Sequence, residues 1–321
     1  MTIKTGTGML ALFFAVLTAA AHAQNFPTRP MRVIVPLAAG GGMDSVARNV
    51  AVSFTEALGQ SVVVDNRPGA GSLVALEIMA DAAADGHTLM MISATTVIYP
   101  LLYKSRLDPV RDFAPVSQVT AQGYVLVVHP SLPVKSALDL VKYAKANPDK
   151  LTYASSGIGS PIHMTTELMA IATGTKMTHV PYKGMGAAYA DLVGGRISLS
   201  FATIISAQAH IRSGRLRALA VSTAKRAPAM PDTPTMQEAG VPGVVVVNWY
   251  GLMAPKHTPK AVINRIAAET ARAVQAPAMM KHLIADGAEG VGSTPAEFTA
   301  HIRNESEQWR RVISQGGIKA Q

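Results

Sequence analysis

Arg29-Pro-Met-Arg-Val-Ile-Val-Pro-Leu-Ala-Ala-Gly-Gly-Gly-Met-Asp44 is the stretch that decides the fold. Val33-Ile34-Val35 is an unbroken β-branched run, the pattern of a parallel strand buried on both faces. Pro36 to Gly42 reads as a loop, and Asp44 or Ser45 as the cap of the helix that follows. Three consecutive glycines let the backbone approach a ligand without Cβ obstruction. The helix after them aims free N–H groups and the positive end of its dipole at the same place, which suits a small anion. The loop carries no catalytic nucleophile, base or metal ligand, so it points to binding and away from chemistry.

Outward from this stretch, short apolar strands alternate with amphipathic helices, which predicts an α/β fold with parallel-type sheets flanked by helices. Strands are expected near Arg32–Val35, Ser61–Asp65 and Thr88–Ser93, with helices at Ser45–Leu58 and Leu73–Ala82. A second run begins at Tyr124–Val128. It continues with a helix at 136–146, a strand at Leu151–Ser155 and a helix at Pro161–Thr173, then strands near Ile197–Ala202 and Leu216–Val221. After Val244–Tyr250 the chain reads as helix, with Ile263, Ile266, Thr270 and Val274, then Phe298, Ile302, Trp309 and Val312, at helical spacing. Two strand–helix runs and a helical C-terminal segment predict two lobes: residues 24–122 plus 249–321 as lobe 1, and 123–248 as lobe 2.

The N-terminus reads as an export leader. Lys4 supplies a sparse positive charge, Met9 to Ala20 an apolar core, and Ala21-His22-Ala23 a small-x-small cleavage pattern. Residues 1–23 are therefore expected to be a signal peptide cleaved near Ala23/Gln24, leaving a periplasmic protein. The chain of 321 residues has no cysteine, which excludes disulfides, thiolate zinc sites, cysteine nucleophiles and a lipidated N-terminal cysteine. At 49% apolar and 15% charged residues it has the composition of a folded globular protein. The net charge of +9 is carried by dispersed Lys and Arg, with no basic run and no aromatic stacking motif, so nucleic acid is not an expected partner.

In open α/β sheets the ligand lies beyond the carboxyl ends of the strands. That rule nominates four loops. The first is Pro36–Asp44, with Leu37, Ala39, Gly41, Gly42, Met43 and Asp44 as candidate contacts; a carboxylate at Asp44 would repel an anion, so its side chain is expected to turn toward backbone amides. The second is Ser155-Ser-Gly-Ile-Gly-Ser-Pro-Ile-His163, where Ser155, Ser156, Gly157 and Ser160 form a candidate nest for a carboxylate. Ser160 is an apt N-cap ahead of Pro161. His163 is a further candidate contact, although Glu167 four residues on makes a helix-surface pair the plainer reading. Ser93 and Thr95 in the third loop, and Thr203 in the fourth, add neutral hydroxyls. Taken singly, each loop also reads as a glycine turn or a capped helix start.

Other motifs stay structural. Asn66-Arg-Pro-Gly-Ala-Gly-Ser72 lacks the last glycine of a dinucleotide fingerprint and reads as a turn with Ser72 as cap. Lys183, beside a glycine turn, reads as a solvated loop lysine. The nucleophile elbow, the His-Glu-x-x-His pair and the phosphate-binding Gly-Lys loop are all missing, and the nine histidines form no metal-spaced cluster. No enzyme activity, cofactor or metal is expected.

Several long motifs in order make the chain resemble the substrate-binding receptors of tripartite tricarboxylate transporters, the Bug-type periplasmic solute receptors. They are Arg32 to Asp44, Val63-Val-Asp-Asn-Arg-Pro-Gly-Ala-Gly71, Ser155 to His163, Val180-Pro-Tyr-Lys-Gly184, Gly214-Arg-Leu-Arg-Ala-Leu-Ala220 and Trp249-Tyr-Gly-Leu252. The resemblance implies a two-lobed periplasmic-binding-protein (Venus flytrap) fold whose pincer loops are Pro36–Asp44 and Ser155–His163. It implies a carboxylate held by main-chain amides, hydroxyls and waters, and delivery of that small organic acid to membrane transporter subunits by a monomeric receptor. Leu37 stands where many relatives have phenylalanine, and Ser72 where a third glycine is common. A solute sensor signalling through a membrane kinase and an exported hydrolase, for which the motifs supply no nucleophile–base pair, are the competing functions.

Overall fold

A computed structural model describes residues 26–103 and 105–319; the expected leader, residues 1–23, and its cleavage point lie outside the described residues. The first run forms β1 (Met31–Val35), α1 (Gly42–Leu58), β2 (Val62–Asn66), a short 3-10 turn, α2 (Leu73–Ala80), β3 (Thr88–Ser93) and α3 (Ala94–Leu102). β1 pairs in parallel with β2 on one side and β3 on the other. The second run forms β4 (Phe113–Val128), α4 (Ala137–Ala146), β5 (Thr152–Ser155), α5 (Pro161–Thr173), β6 (Thr178–Pro181), α6 (Met185–Val193), β7 (Leu199–Thr203), α7 (Ile204–Arg212) and β8 (Arg217–Val221). Here β5 pairs in parallel with β6 and β7. The chain returns through β9 (Val247–Pro255) and ends in α8 (Lys260–Ala273), α9 (Pro277–Ala285), β10 (Ala288–Gly290) and α10 (Pro295–Gly316).

The two parallel sets are joined by β4. Its first part, Phe113 to Gly123, pairs antiparallel with β9, and Tyr124 to Val128 pairs antiparallel with β7 and β8. The path runs β2-β1-β3-β9-β4-β7-β5-β6, a mixed sheet that changes halves at Gly123/Tyr124. β4 starts eleven residues before the expected strand at Tyr124. Pro115, Ser117 and Gln118 interrupt its apolar pattern, and the register slips between Pro115 and Ser117, the kind of bulge where a strand accommodates proline. α1 likewise starts before the expected cap, with Gly41 as N-cap and Asp44 inside the first turn.

Period-2 alternation divides the core. Ile34, Met90 and Trp249 face one layer, while Val33, Val35 and Leu252 face another with Met43, Phe54 and Ile266. In the second half Leu126 and Val128 join the first layer, and Val125 and Val127 face a third with Leu192 and Ile204. The first layer therefore runs unbroken under both halves. α10 lies along it, packing on β4, α3 and α5.

Candidate functional site

The carboxyl ends of the parallel strands carry all four nominated loops. β1 ends at Val35 and β3 at Ser93 in the first half; β5 ends at Ser155 and β7 at Thr203 in the second. The halves meet beside them: a Cβ on Gly159 would lie 2.5 Å from Leu102 of α3, the helix that Ser93 opens. Gly287 of the first half likewise faces Ile204 and Ala229 of the second.

In the first loop Leu37, Ala38, Ala39, Gly40, Gly41 and Gly42 are exposed, whereas Met43 and Asp44 are buried. Gly40 takes φ +87°, a conformation that glycine alone adopts without strain. Asp44 turns away from the opening, as its charge requires. Its carboxylate accepts the Gly40 amide at 2.9 Å, Arg48 Nε at 2.9 Å and Asn66 Nδ2 at 3.0 Å. The Arg48 bond leads the effects that hold its pKa down to about 2, against the opposing cost of burial. Asn66 also ties the Leu37 carbonyl at 3.0 Å. Among the described residues the amides of Gly41, Gly42 and Met43 have no carbonyl or side-chain partner, as expected of a helix start.

Sequence reasoning passed over a residue that reaches this helix start. The Tyr250 hydroxyl lies 3.3 Å from where a Cβ on Gly42 would sit. Gly42 has no positive φ, so its lack of a side chain serves the approach of that phenol rather than a turn. Burial raises the pKa of Tyr250, so the hydroxyl is a neutral donor, with Asn248 beside it. Ser45, one turn into α1, is held at 3.1 Å by His282 of α9. The recurrence of Trp249-Tyr250 among the family markers was the available signal, but it gave no position.

The second loop divides into scaffold and free groups. The Ser155 hydroxyl accepts the Gly157 amide at 3.1 Å and lies 2.7 Å from His179 Nε2. Ser160 caps α5, its Oγ accepting the His163 amide at 3.3 Å. His163 is buried behind the loop rather than paired on a helix surface: its Nδ1 accepts the Gly159 amide at 3.1 Å, and its ring stacks on His179 at 3.9 Å. Its Nε2 stays 4.0 Å from Glu167, whose carboxylate instead takes the Tyr153 hydroxyl. Burial drives the His163 pKa down to about 3 and that of His179 to about 4, so both rings are neutral at physiological pH. The Ser156 hydroxyl and the amides of Ser156 and Ile158 are left without partners among the described residues. Gly157, at φ +123°, orients that stretch.

The remaining candidates differ in availability. Ser93 is buried and its amide donates to Thr96 Oγ1 at 3.4 Å, while Thr95 is half-buried. Thr203 Oγ1 lies 2.7 Å from Ser206, which in turn meets the Tyr189 hydroxyl at 2.6 Å. Lys183 is exposed. Ser72 does open α2, but from φ +84° and without a side-chain cap bond; its Oγ accepts from Thr96. Among the described residues no three His, Asp or Glu side chains gather as metal ligands, and no helix is long and apolar enough to cross a membrane. The arrangement presents neutral N–H and O–H donors from both halves, a chemistry suited to holding an anion.

Residues 46–318 match the profile of the tripartite tricarboxylate transporter family receptor. The protein BugT of Bordetella pertussis is 36% identical over 319 residues, covering 97% of each chain. An R. palustris protein solved with adipate superposes with a TM-score of 0.78 at 35% identity, over 92% of this chain and 99% of that one. MatC of Rhodopseudomonas palustris, solved with malate, gives 0.74 at 31% identity, over 90% and 100%.

Proposed function

The chain belongs to the tripartite tricarboxylate transporter receptor family, and on that premise we propose that it captures a small carboxylate between its two lobes and delivers it to a membrane transporter of that type. The family is one of solute receptors, and two relatives carry aliphatic carboxylates, adipate and malate. The observation that bears most weight is the free amide row Gly41–Met43 at the N-terminus of α1, with Asp44 folded back onto Gly40 and the neutral Tyr250 hydroxyl beside it. Main-chain N–H groups and a helix dipole stabilise one carboxylate without a cationic side chain. The Ser156 side chain and the Ser155–Ser160 loop supply the opposing jaw. Closure shuts out water and strengthens each of these bonds, and the solute shifts the population toward the closed form by its greater affinity for it.

The lobes are taken as residues 24–122 plus 249–321 and 123–248, with the change of sheet at Gly123/Tyr124 supporting the first boundary. In this reading the mature protein is a periplasmic monomer and does no chemistry. Titration calorimetry of the purified mature chain against adipate, malate and a panel of mono- and dicarboxylates tests the proposal. Saturable one-to-one binding with unaltered solute is the expected result, and silence across the panel overturns it. Loss of uptake of the bound acid in a deletion strain, with induced transcription intact, is expected of a transport receptor and not of a sensor.

A further inference from the structure

Four buried polar atoms without hydrogen-bond partners gather at one place in the fold: Trp249 Nε1, Trp309 Nε1, Glu305 Oε2 and His301 Nε2. Trp249 lies on β9, paired with Ala121 two residues before β4 changes halves, and the other three lie on one face of α10. Glu305 is 7% exposed and both tryptophans are fully buried. The indole N–H groups of both tryptophans face the Glu305 carboxyl without closing a bond of ordinary geometry. His301 meets the Trp249 ring edge-on at 5.1 Å. These polar atoms lie outside the loops of the receptor site, beside the point where the lobes join. Trp249 turns toward them, and its neighbour Tyr250 turns the opposite way, toward Gly42.

We propose that Glu305 is a positioning residue for solute capture: through Trp249 it sets the strand that carries the Tyr250 hydroxyl to Gly42, and its ionisation loosens that seam. The inference rests on the receptor reading above. A neutral carboxyl is tolerated between two indoles, whereas a buried carboxylate without a cation demands hydration. Water reaches it by easing α10 off β9, and α10 also packs on β4, α3 and α5, so the easing is felt across both lobes.

The surrounding groups leave Glu305 as the one that changes charge near neutrality. From β4 Tyr124 faces it, with Tyr250 of β9 behind, and burial raises both phenols. On α10 itself His301 is pushed down by burial, toward the neutral ring. Tyr99 and Tyr103, at the end of α3, stack on each other, and Glu269 of α8 is held by Arg265 and Arg272. Glu167 of α5 faces α10 at Gly316, three turns further along. Burial lifts Glu305 itself to about 7.

Trp249 and Trp309 are the only tryptophans in the chain, so intrinsic fluorescence reads this pocket directly. The mature protein without solute is titrated from pH 5 to 9 by tryptophan emission, for the natural chain, Glu305→Gln and Trp309→Phe. The natural chain and Trp309→Phe, which leaves Trp249 as sole reporter, should show one transition near pH 7, and Glu305→Gln should show none. In parallel, adipate and malate affinities are measured at pH 6 and pH 8. The natural chain should lose about fivefold between them, at the lower end of coupling between sites, and Glu305→Gln should hold its affinity. A transition that survives in Glu305→Gln, or solute affinity equally pH-dependent in both proteins, overturns the proposal. If emission titrates as expected but neither acid nor any other carboxylate binds at either pH, the receptor reading fails and the coupling falls with it, while the assignment of the proton to Glu305 stands.

Discussion

Tyr250 reaches from β9 to Gly42 of α1: the phenol oxygen lies 3.3 Å from the point where any side chain at Gly42 would begin. Tyr250 belongs to β9, which pairs with the linking strand β4, and Gly42 to the first turn of α1, so the free amides of α1 contact the strand beside the lobe crossing.

Gly42→Ala should therefore displace the hydroxyl by a few tenths of an ångström with little cost to folding, because the exposed loop has room. Carboxylate affinity should fall, and Tyr250→Phe should lose about 1 kcal/mol of binding, the usual worth of one hydrogen bond. Calorimetry on both variants checks this; Tyr250→Phe with natural affinity would remove the phenol from the site.

Gly251 is different in kind. A Cβ there would lie 2.1 Å from the Phe298 ring, which presses on β9 from α10. Gly251→Ala should destabilise by about 1–3 kcal/mol through overpacking. Urea denaturation should show the loss, and Phe298→Leu in the same chain should recover part of it.

Ser160→Ala removes an N-cap whose Oγ accepts the His163 amide at 3.3 Å. About 1 kcal/mol of stability should go with it. Affinity should drop by a similar amount, about 1–2 kcal/mol, if the hydroxyl also donates to the solute. A lower melting temperature with unchanged dissociation constant would confine Ser160 to the scaffold.

His163 and His179 are held neutral by burial, with pKa values of about 3 and about 4 against 6.5 for the free side chain. Unfolding lets them take up protons, so their contribution to stability is present above about pH 6.5 and is lost as pH falls through the acid range. His179→Phe, which keeps the stack on His163, should flatten the decline in denaturation midpoint between pH 7 and 5.

Glu305 acts with the opposite sign. Its folded pKa of about 7 exceeds the ordinary value of 4.5, so the folded state holds the extra proton between those limits. Stability is full below about 4.5 and falls as pH rises toward 7, by roughly 3 kcal/mol in all. The difference between Glu305→Gln and the natural chain in urea midpoint should thus widen from pH 5 to pH 8.

The β-branched run at Val33–Val35, the strand at Thr88–Ser93 and the helix at Pro161–Thr173 were readable because pattern and caps agreed. The first part of β4 was not, since Pro115 sits at a bulge and Ser117 and Gln118 are polar yet buried by tertiary packing. The helix start at Gly42 was missed because glycine caps by conformation alone, without the side-chain signal that pointed to Asp44. In the site, spacing nominated the loops but could not say which hydroxyls the fold consumes. Ser155 binds its own loop, and His163 supports Gly159 from behind. Tyr250 lies more than 200 positions from Gly42, and only folding brings the two together.

The shared strand β4 also limits how this molecule comes apart. One side of the sheet is a single apolar layer, from Ile34 through Trp249 to Phe201, with no seam at Gly123. A fragment ending there would expose the cut face of that layer and strip β7 and β8 of their partner. Both lobes should melt in one transition, neither half should be expressible alone, and truncation of α10 should unfold the distant lobe as readily as its own.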